Sequence, residues 1–384
     1  MPTLIAAPKF DSARGFLPFQ DPLTRLPQAF DAWEGTAIAL PKLFASDHVR
    51  WTLEDLPPFP LNALAGDRER ERAMVLLSYL GHAYVWGGPA PAEVLPQGLA
   101  EPWHAVATVL GRPPVLSYAS YALHNFVRFD AEREIECGNI ALIQNFLGGI
   151  DEEWFILIHV EIERKGAPGV AVLHDCLDAA EAGDAERVEV LLSTVRTSIE
   201  SMYAVLKRMP ENCDPYIYYH RVRPYIHGWK NHPDLPAGLV YEGVDEYGGR
   251  PQQFRGETGA QSAIVPSLDA FLGIRHKEDV LRTYLMEMRT YMPPVQRRFI
   301  ESLEQRESVR TFVQRSRRPQ LTEMYNACIE GVGLFRSLHL EFASKYIFRQ
   351  AQTDEKNPHS VGTGGTPFMS YLTKHRDETE QHRL

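Results

Sequence analysis

Residues 331–347 read GVGLFRSLHLEFASKYI, an apolar and strongly helical stretch in the middle of the longest helix the sequence predicts, from Leu321 to about Arg349. The same pattern recurs outward from it. Asp67 opens the charged run DRERER, which leads into MVLLSYLGHAYVW. An acidic start followed by an apolar face marks a helix, and Gly87-Gly88-Pro89 stops it. Further helices are expected over Pro102–Leu110, Leu116–Phe129, Glu153–Lys165, Val170–Glu181, Asp184–Arg208, Gln261–Leu272, Lys277–Tyr291 and Val295–Glu307, with a last one from Pro367. No tract alternates strictly between apolar and polar residues, so strands should be scarce. The fold class is all-α. A boundary near residue 140 divides a small, proline-punctuated N-terminal helical part (1–140) from a large helical part (141–384).

With 384 residues, 44% of them hydrophobic, the chain has ample material for a packed core. Its 40 Lys and Arg stand against 50 Asp and Glu, a net charge of −10, which argues against nucleic acid as a partner. The four cysteines form no CxxC pair, so a thioredoxin-type centre and a zinc ribbon are excluded, and no HExxH or similar histidine spacing occurs. The N-terminus lacks the basic and apolar regions of a signal peptide. The most apolar stretches, Gly138–Ile150 and Trp154–Val160, are parted by Asp151, Glu152 and Glu153, and neither reaches the ~18 residues needed to span a bilayer. A cytoplasmic protein without membrane contact is expected.

His339 stands near the centre of the opening stretch. A lone histidine on an apolar helix face is more often a hydrogen-bonded core residue. The alternative is an axial ligand to haem iron, which needs a neutral imidazole on a rigid element in an apolar pocket. Arg336, three residues earlier on the same face, could organise a carboxylate near the ring. Asp269, in AQSAIVPSLDAFLGI, and Glu161, in WFILIHVEIE, are the candidates, although such acids are more often solvated. Residue types alone leave these readings open. Arg223 lies in DPYIYYHRVRPYIHGWK, where a guanidinium among aromatic rings suits the carboxylate of an aromatic small molecule. Stacking on surface tyrosines is at least as common. Pro224 should push Arg223 out of α geometry and kink or break the helix there. GTGGT (362–366) lacks the Lys-Ser/Thr of a phosphate loop and suits either a lid or an ordinary turn.

Taken together and in this order, RGFLP (14–18), AYVWG (83–87), PPVLSYA (113–119), VEI (160–162), PYIYYHRVRPYIHGWK (215–230), GLVYEG (238–243), AQS (260–262), YMPP (291–294), RSLHL…KYI (336–347) and GTGGT resemble the indoleamine 2,3-dioxygenase family. The resemblance implies an all-helical protein whose small N-terminal domain covers the distal side of haem b, held by the larger domain. It makes His339 the proximal iron ligand, with Arg336, Asp269 and Glu161 in the network behind it. Arg223 would pair with the substrate carboxylate, Tyr118 would line the distal aromatic pocket, and Thr363 would sit in the lid.

Several positions depart from the family. Tyr218 replaces a pocket phenylalanine, Thr258 a serine and Gly259 an alanine. Leu157 falls at a distal-side serine, Tyr121 at a position that is small in the mammalian enzymes, and Gln296 at a usual histidine. The implied activity is haem-dependent cleavage of the indole C2–C3 bond of L-tryptophan, or a related indoleamine, with O2 to give N-formylkynurenine. It needs no protein base but does need a reductant for the haem, whose identity the resemblance leaves open. Tyr218 and Thr258 motivate an alternative, a haem oxygenase of another indole or aromatic metabolite. A non-catalytic haem protein that binds gas is the third reading.

Overall fold

A computed structural model describes residues 8–46, 48–277, 280–353 and 368–384. The Asp67–Trp86 helix forms as its sequence dictates and is buried almost continuously from Arg72 to Val85. It packs on Gln97–Leu110 at Gly81, where a Cβ would come within 2.3 Å of the Trp103 ring. These helices anchor a first core that includes Phe30, Trp33, Tyr79 and Trp103. Ile226, Trp229, Leu239, Tyr241, Met288 and Tyr291 return to it from later in the chain.

A second core lies among three long helices, Ile150–Glu181, Ala185–Leu206 and Pro319–Ala343. The Asp184 side chain caps the second of these by accepting from the Arg187 N–H at 3.0 Å. Gly169 leaves room for Ser198 and Gly331 for Ile199, so the three axes approach closely. Ile264–Leu272, Pro294–Glu304 and Val309–Ser316 close the far side.

Strands are as scarce as expected. Val94–Leu95 pairs in parallel with Val240–Tyr241, and Phe126–Arg128 pairs antiparallel with Ile140–Leu142. No helix among the described residues is long and apolar enough to cross a membrane.

Four local expectations are corrected. Leu116–Phe129 is not one helix: a single wide helical turn, Ala119–Leu123, gives way to a strand. The cause is Asn125, whose amide group donates to the Tyr79 hydroxyl and the Tyr121 and Gln144 carbonyls while its oxygen accepts the Gln144 N–H, tying the chain sideways. Glu153–Lys165 and Val170–Glu181 are parts of one 32-residue helix that runs through Pro168. Gly166 and Gly169, the apparent breakers, are there for close packing against Ile264 and Ser198. Val309–Ser316 is an additional helix. Arg223 keeps right-handed helical geometry (φ −56°, ψ −37°). The helix changes pitch instead, from a wide turn over Tyr218–Val222 to a tight one over Arg223–Ile226, and ends at the extended His227. Pro224 is tolerated because it lies in the first positions of that new turn, where an N–H would have no partner.

Candidate active site

The long helices enclose a cavity of about 880 Å³. Phe335, Arg336, His339, Phe342 and Tyr346 reach it from the Pro319–Ala343 helix and the turn that follows, a stripe at helical spacing. Phe155, His159 and Ile162 face it from Ile150–Glu181. Tyr118, Tyr218, Glu257, Thr258 and Ser262 complete the side nearest the first core.

His339 opens onto this cavity and makes no hydrogen bond among the described residues. Desolvation, then the nearby His159 ring, lowers its pKa to about 4. It therefore presents neutral imidazole at physiological pH, the form that ligates a metal.

Behind it, Arg336 pairs with Asp269 at 2.6 Å and donates to the Thr379 hydroxyl. His276 lies 3.3 Å from the same Asp269 oxygen and 2.7 Å from Glu378. Burial would raise the Asp269 pKa, but Arg336 and His276 outweigh it and hold the carboxyl at about 2. The second Asp269 oxygen, Oδ1, is buried with no hydrogen-bond partner among the described residues. His339, Arg336 and Asp269 thus share one wall of the cavity.

Glu161 stands apart from this group. It accepts the Cys137 N–H at 2.8 Å and pairs with Arg208 at 3.1 Å, away from the cavity lining. Its neighbour Glu163 serves the site instead, accepting from the Tyr118 hydroxyl (2.9 Å) and Ser262 (2.7 Å). Burial, opposed by those two bonds, brings the Glu163 pKa up to about 7. Leu157 packs in the first core, and the residue that faces the cavity is His159. The His159 Nδ1 lies 2.7 Å from the Phe155 carbonyl. A carbonyl only accepts, so Nδ1 carries the proton and Nε2 keeps a lone pair. Burial lowers the His159 pKa and keeps the ring neutral. The readable signal was the spacing of Phe155, His159 and Glu163, four residues apart on one helix face.

Tyr118 turns its ring at 75° to His159, 5.9 Å between centroids, and its N–H is fixed by Gln261. Tyr218 packs on Phe155 at 4.4 Å and on Tyr346 at 5.9 Å. Thr258 caps the short turn Gly259–Gln261. Arg223 is buried, with its guanidinium 5.2 Å from the Tyr219 ring, and it does not line the cavity. It does act electrostatically on the Tyr218 phenol, which lines it. Tyr121 is buried in the first core beside Tyr79, and Gln296 donates to the Phe16 carbonyl. Thr363 and the rest of GTGGT lie outside the described residues.

These residues fit a haem. The neutral His339 imidazole, without a hydrogen bond among the described residues, faces a cavity with apolar walls (Met202, Leu206, Phe335, Phe342, Ile347). Arg275 and Arg282 are among its lining residues, and a guanidinium suits a propionate group, whereas Arg289 is already paired with Glu304 at 2.6 Å. No cluster of three or more His, Cys, Asp or Glu able to hold a bare metal ion occurs among the described residues.

The profile of the family described as "Indoleamine 2,3-dioxygenase" matches residues 6–382. The chain is 35% identical to indoleamine 2,3-dioxygenase 1 of Rattus norvegicus, covering 94% of this chain and 92% of that protein. It is 34% identical to human indoleamine 2,3-dioxygenase 2 (95% and 92%) and 32% identical to the Saccharomyces cerevisiae indoleamine 2,3-dioxygenase (95% and 90%). An all-helical scaffold, a cavity built around a neutral imidazole and an end-to-end sequence match agree: the chain belongs to the indoleamine 2,3-dioxygenase family.

Proposed function

We infer that this protein is a haem-dependent dioxygenase that opens the C2–C3 bond of L-tryptophan, or a closely related indoleamine, with O2 to give N-formylkynurenine. The observation that carries this reading is the His339 imidazole, neutral and without a hydrogen bond among the described residues, at the wall of a cavity large enough for a macrocycle and an aromatic ligand together. Bound haem would supply the oxygen chemistry. The protein's work is then to bind, orient and exclude water.

His339 would hold the iron, and the Arg336–Asp269 pair would fix the helix turn that carries it. On the other side Tyr118, Phe155 and Tyr218 would flank the substrate ring. His159, with its proton retained on Nδ1, offers Nε2 as the acceptor for a ring N–H and has no proton there to donate. Arg223 would take the substrate carboxylate only by turning from the Tyr219 ring toward the cavity, whose wall Thr258 lines, and Thr363 lies outside the described residues. No side chain is assigned the role of general base.

O2, a tryptophan-like substrate and an external reductant are the partners this reading requires. Four cysteines without a disulfide are in keeping with the cytoplasm, and the net charge of −10 is unsuited to nucleic acid.

The test is purification with haem supplementation, reduction, and reaction of L-tryptophan with isotopically labelled O2. N-formylkynurenine carrying both labelled oxygen atoms is expected. A product with one labelled atom, or no product from any indole, would refute the dioxygenase assignment.

A further inference from the structure

One acid holds the cavity wall from behind. Glu163 is 1% exposed and lies one helical turn beyond His159 on the Ile150–Glu181 helix, and it is not itself among the lining residues. Its Oε1 accepts from two hydroxyls that belong to lining residues, Tyr118 at 2.9 Å and Ser262 at 2.7 Å. Tyr118 is fixed at other points too. Its N–H donates to the Gln261 side-chain oxygen at 2.9 Å, and the Gln261 amide donates in turn to the Gly256 carbonyl at 2.9 Å. Its ring meets His159 edge-on, with 5.9 Å between centroids. The Ser262 hydroxyl oxygen also accepts the Ile264 N–H at 3.4 Å, where the Ile264–Leu272 helix begins. One carboxyl oxygen therefore ties two separate segments of the wall, at Tyr118 and at Ser262, to the helix that carries His159.

Burying a carboxyl is unfavourable, and an apolar side chain of similar size would pack this position without that cost. Only an acceptor can hold the two hydroxyls, and through them the tilt of the Tyr118 ring and the course of the loop before Ile264. We propose that Glu163 is a positioning residue for the organic substrate, which by holding the Tyr118 and Ser262 hydroxyls keeps the aromatic wall in the one arrangement against His159 that receives an indole. It acts only through those two side chains. This proposal rests on the reading of the cavity as an amino-acid oxygenase site.

The experiment compares wild-type holoenzyme with Glu163→Gln, Glu163→Met, the paired variant Tyr118→Phe/Ser262→Ala, and the triple variant that adds Glu163→Met to the pair. Dissociation constants for L-tryptophan, and for cyanide on the ferric haem, are taken from the shift in the haem spectrum. The paired variant removes both hydroxyls and leaves the carboxyl, and it should weaken L-tryptophan about tenfold. Glu163→Met should weaken it to the same degree and the triple variant no further, because all three sever the same contacts. Glu163→Gln, which keeps a carbonyl acceptor, should stay within about threefold of wild type. Cyanide is too small to need an aromatic wall and should bind every variant within about twofold of wild type, which a general loosening of the fold would not allow. L-tryptophan binding by the paired variant within about twofold of wild type overturns the proposal, and that variant decides the matter even if Glu163→Met does not fold. A triple variant weaker than the paired one by about fivefold or more overturns it as well, since the losses would then be independent. Absence of tryptophan turnover in the wild type would sink the dioxygenase reading instead, and the binding titrations would still report on Glu163.

Discussion

Asp269→Asn tests the wall behind His339, because it keeps the shape of the side chain and removes the charge. In the folded protein burial pushes the Asp269 pKa up, and Arg336 at 2.6 Å with His276 at 3.3 Å pulls it down further, from 3.8 to about 2. At about 1.4 kcal/mol per pH unit this displacement is worth roughly 2 kcal/mol of stability near neutral pH. The variant also leaves Arg336, which is 7% exposed, facing a neutral amide. Severing one side of a buried pair in this way costs about 3–5 kcal/mol in all.

Denaturant unfolding of wild type and variant near neutral pH should show that difference. Because the folded-state pKa lies below the unfolded value, the contribution is fully present above pH 3.8 and is lost as the pH falls through about 2. The gap between the two proteins should therefore narrow steadily as solutions are acidified from about pH 4. A gap under about 1 kcal/mol at neutral pH, or one that stays constant down to the lowest pH at which both fold, would refute the claim that this ion pair braces the helix turn.

Two further predictions concern the imidazoles. His339→Ala should fold, by far-ultraviolet circular dichroism, yet lose the native Soret band; retention of native haem ligation would remove His339 as the axial residue. Wild-type protein should bind L-tryptophan about tenfold or more tightly than its ring-N-methyl derivative, because methylation leaves the His159 lone pair without a donor. His159→Leu should bring that ratio close to one, and an unchanged ratio would place the ring nitrogen elsewhere in the cavity.

Much of the fold was legible because most helices carry their own signals. Asp67–Trp86 has acidic residues in its first turn and a glycine stop, and Asp184 caps its helix through its own side chain. Legibility failed where a distant partner decides. Asn125 reads as an ordinary helical residue until Tyr79 and Gln144 are beside it, and then its amide pins a strand. The glycines around Pro168 read as a break, yet they are there for Ile264 and Ser198 on neighbouring helices. Short-range pattern does not encode such contacts, so the 32-residue helix looks like two.

For the site, the decisive matter is helical phase. In WFILIHVEIE, Glu161 and Glu163 are both buried acids two residues apart, which in an α-helix places them roughly 200° around the axis from each other. Only one of them can share a face with Phe155 and His159. Matching the letters VEI selects Glu161, whereas stepping by four from Phe155 selects His159 and then Glu163, and the hydrogen bonds follow the second choice. The same phase puts an imidazole acceptor, not Leu157, on the cavity that His339 also lines. A pocket read through Leu157 would be apolar and tolerant of any flat ring. Read through His159, it sets an acceptor at a fixed place, and a ligand must bring an N–H or O–H group to it or leave it desolvated and unpaired. Discrimination among indoles in this protein should therefore follow the positions of their donors more than the size of their rings.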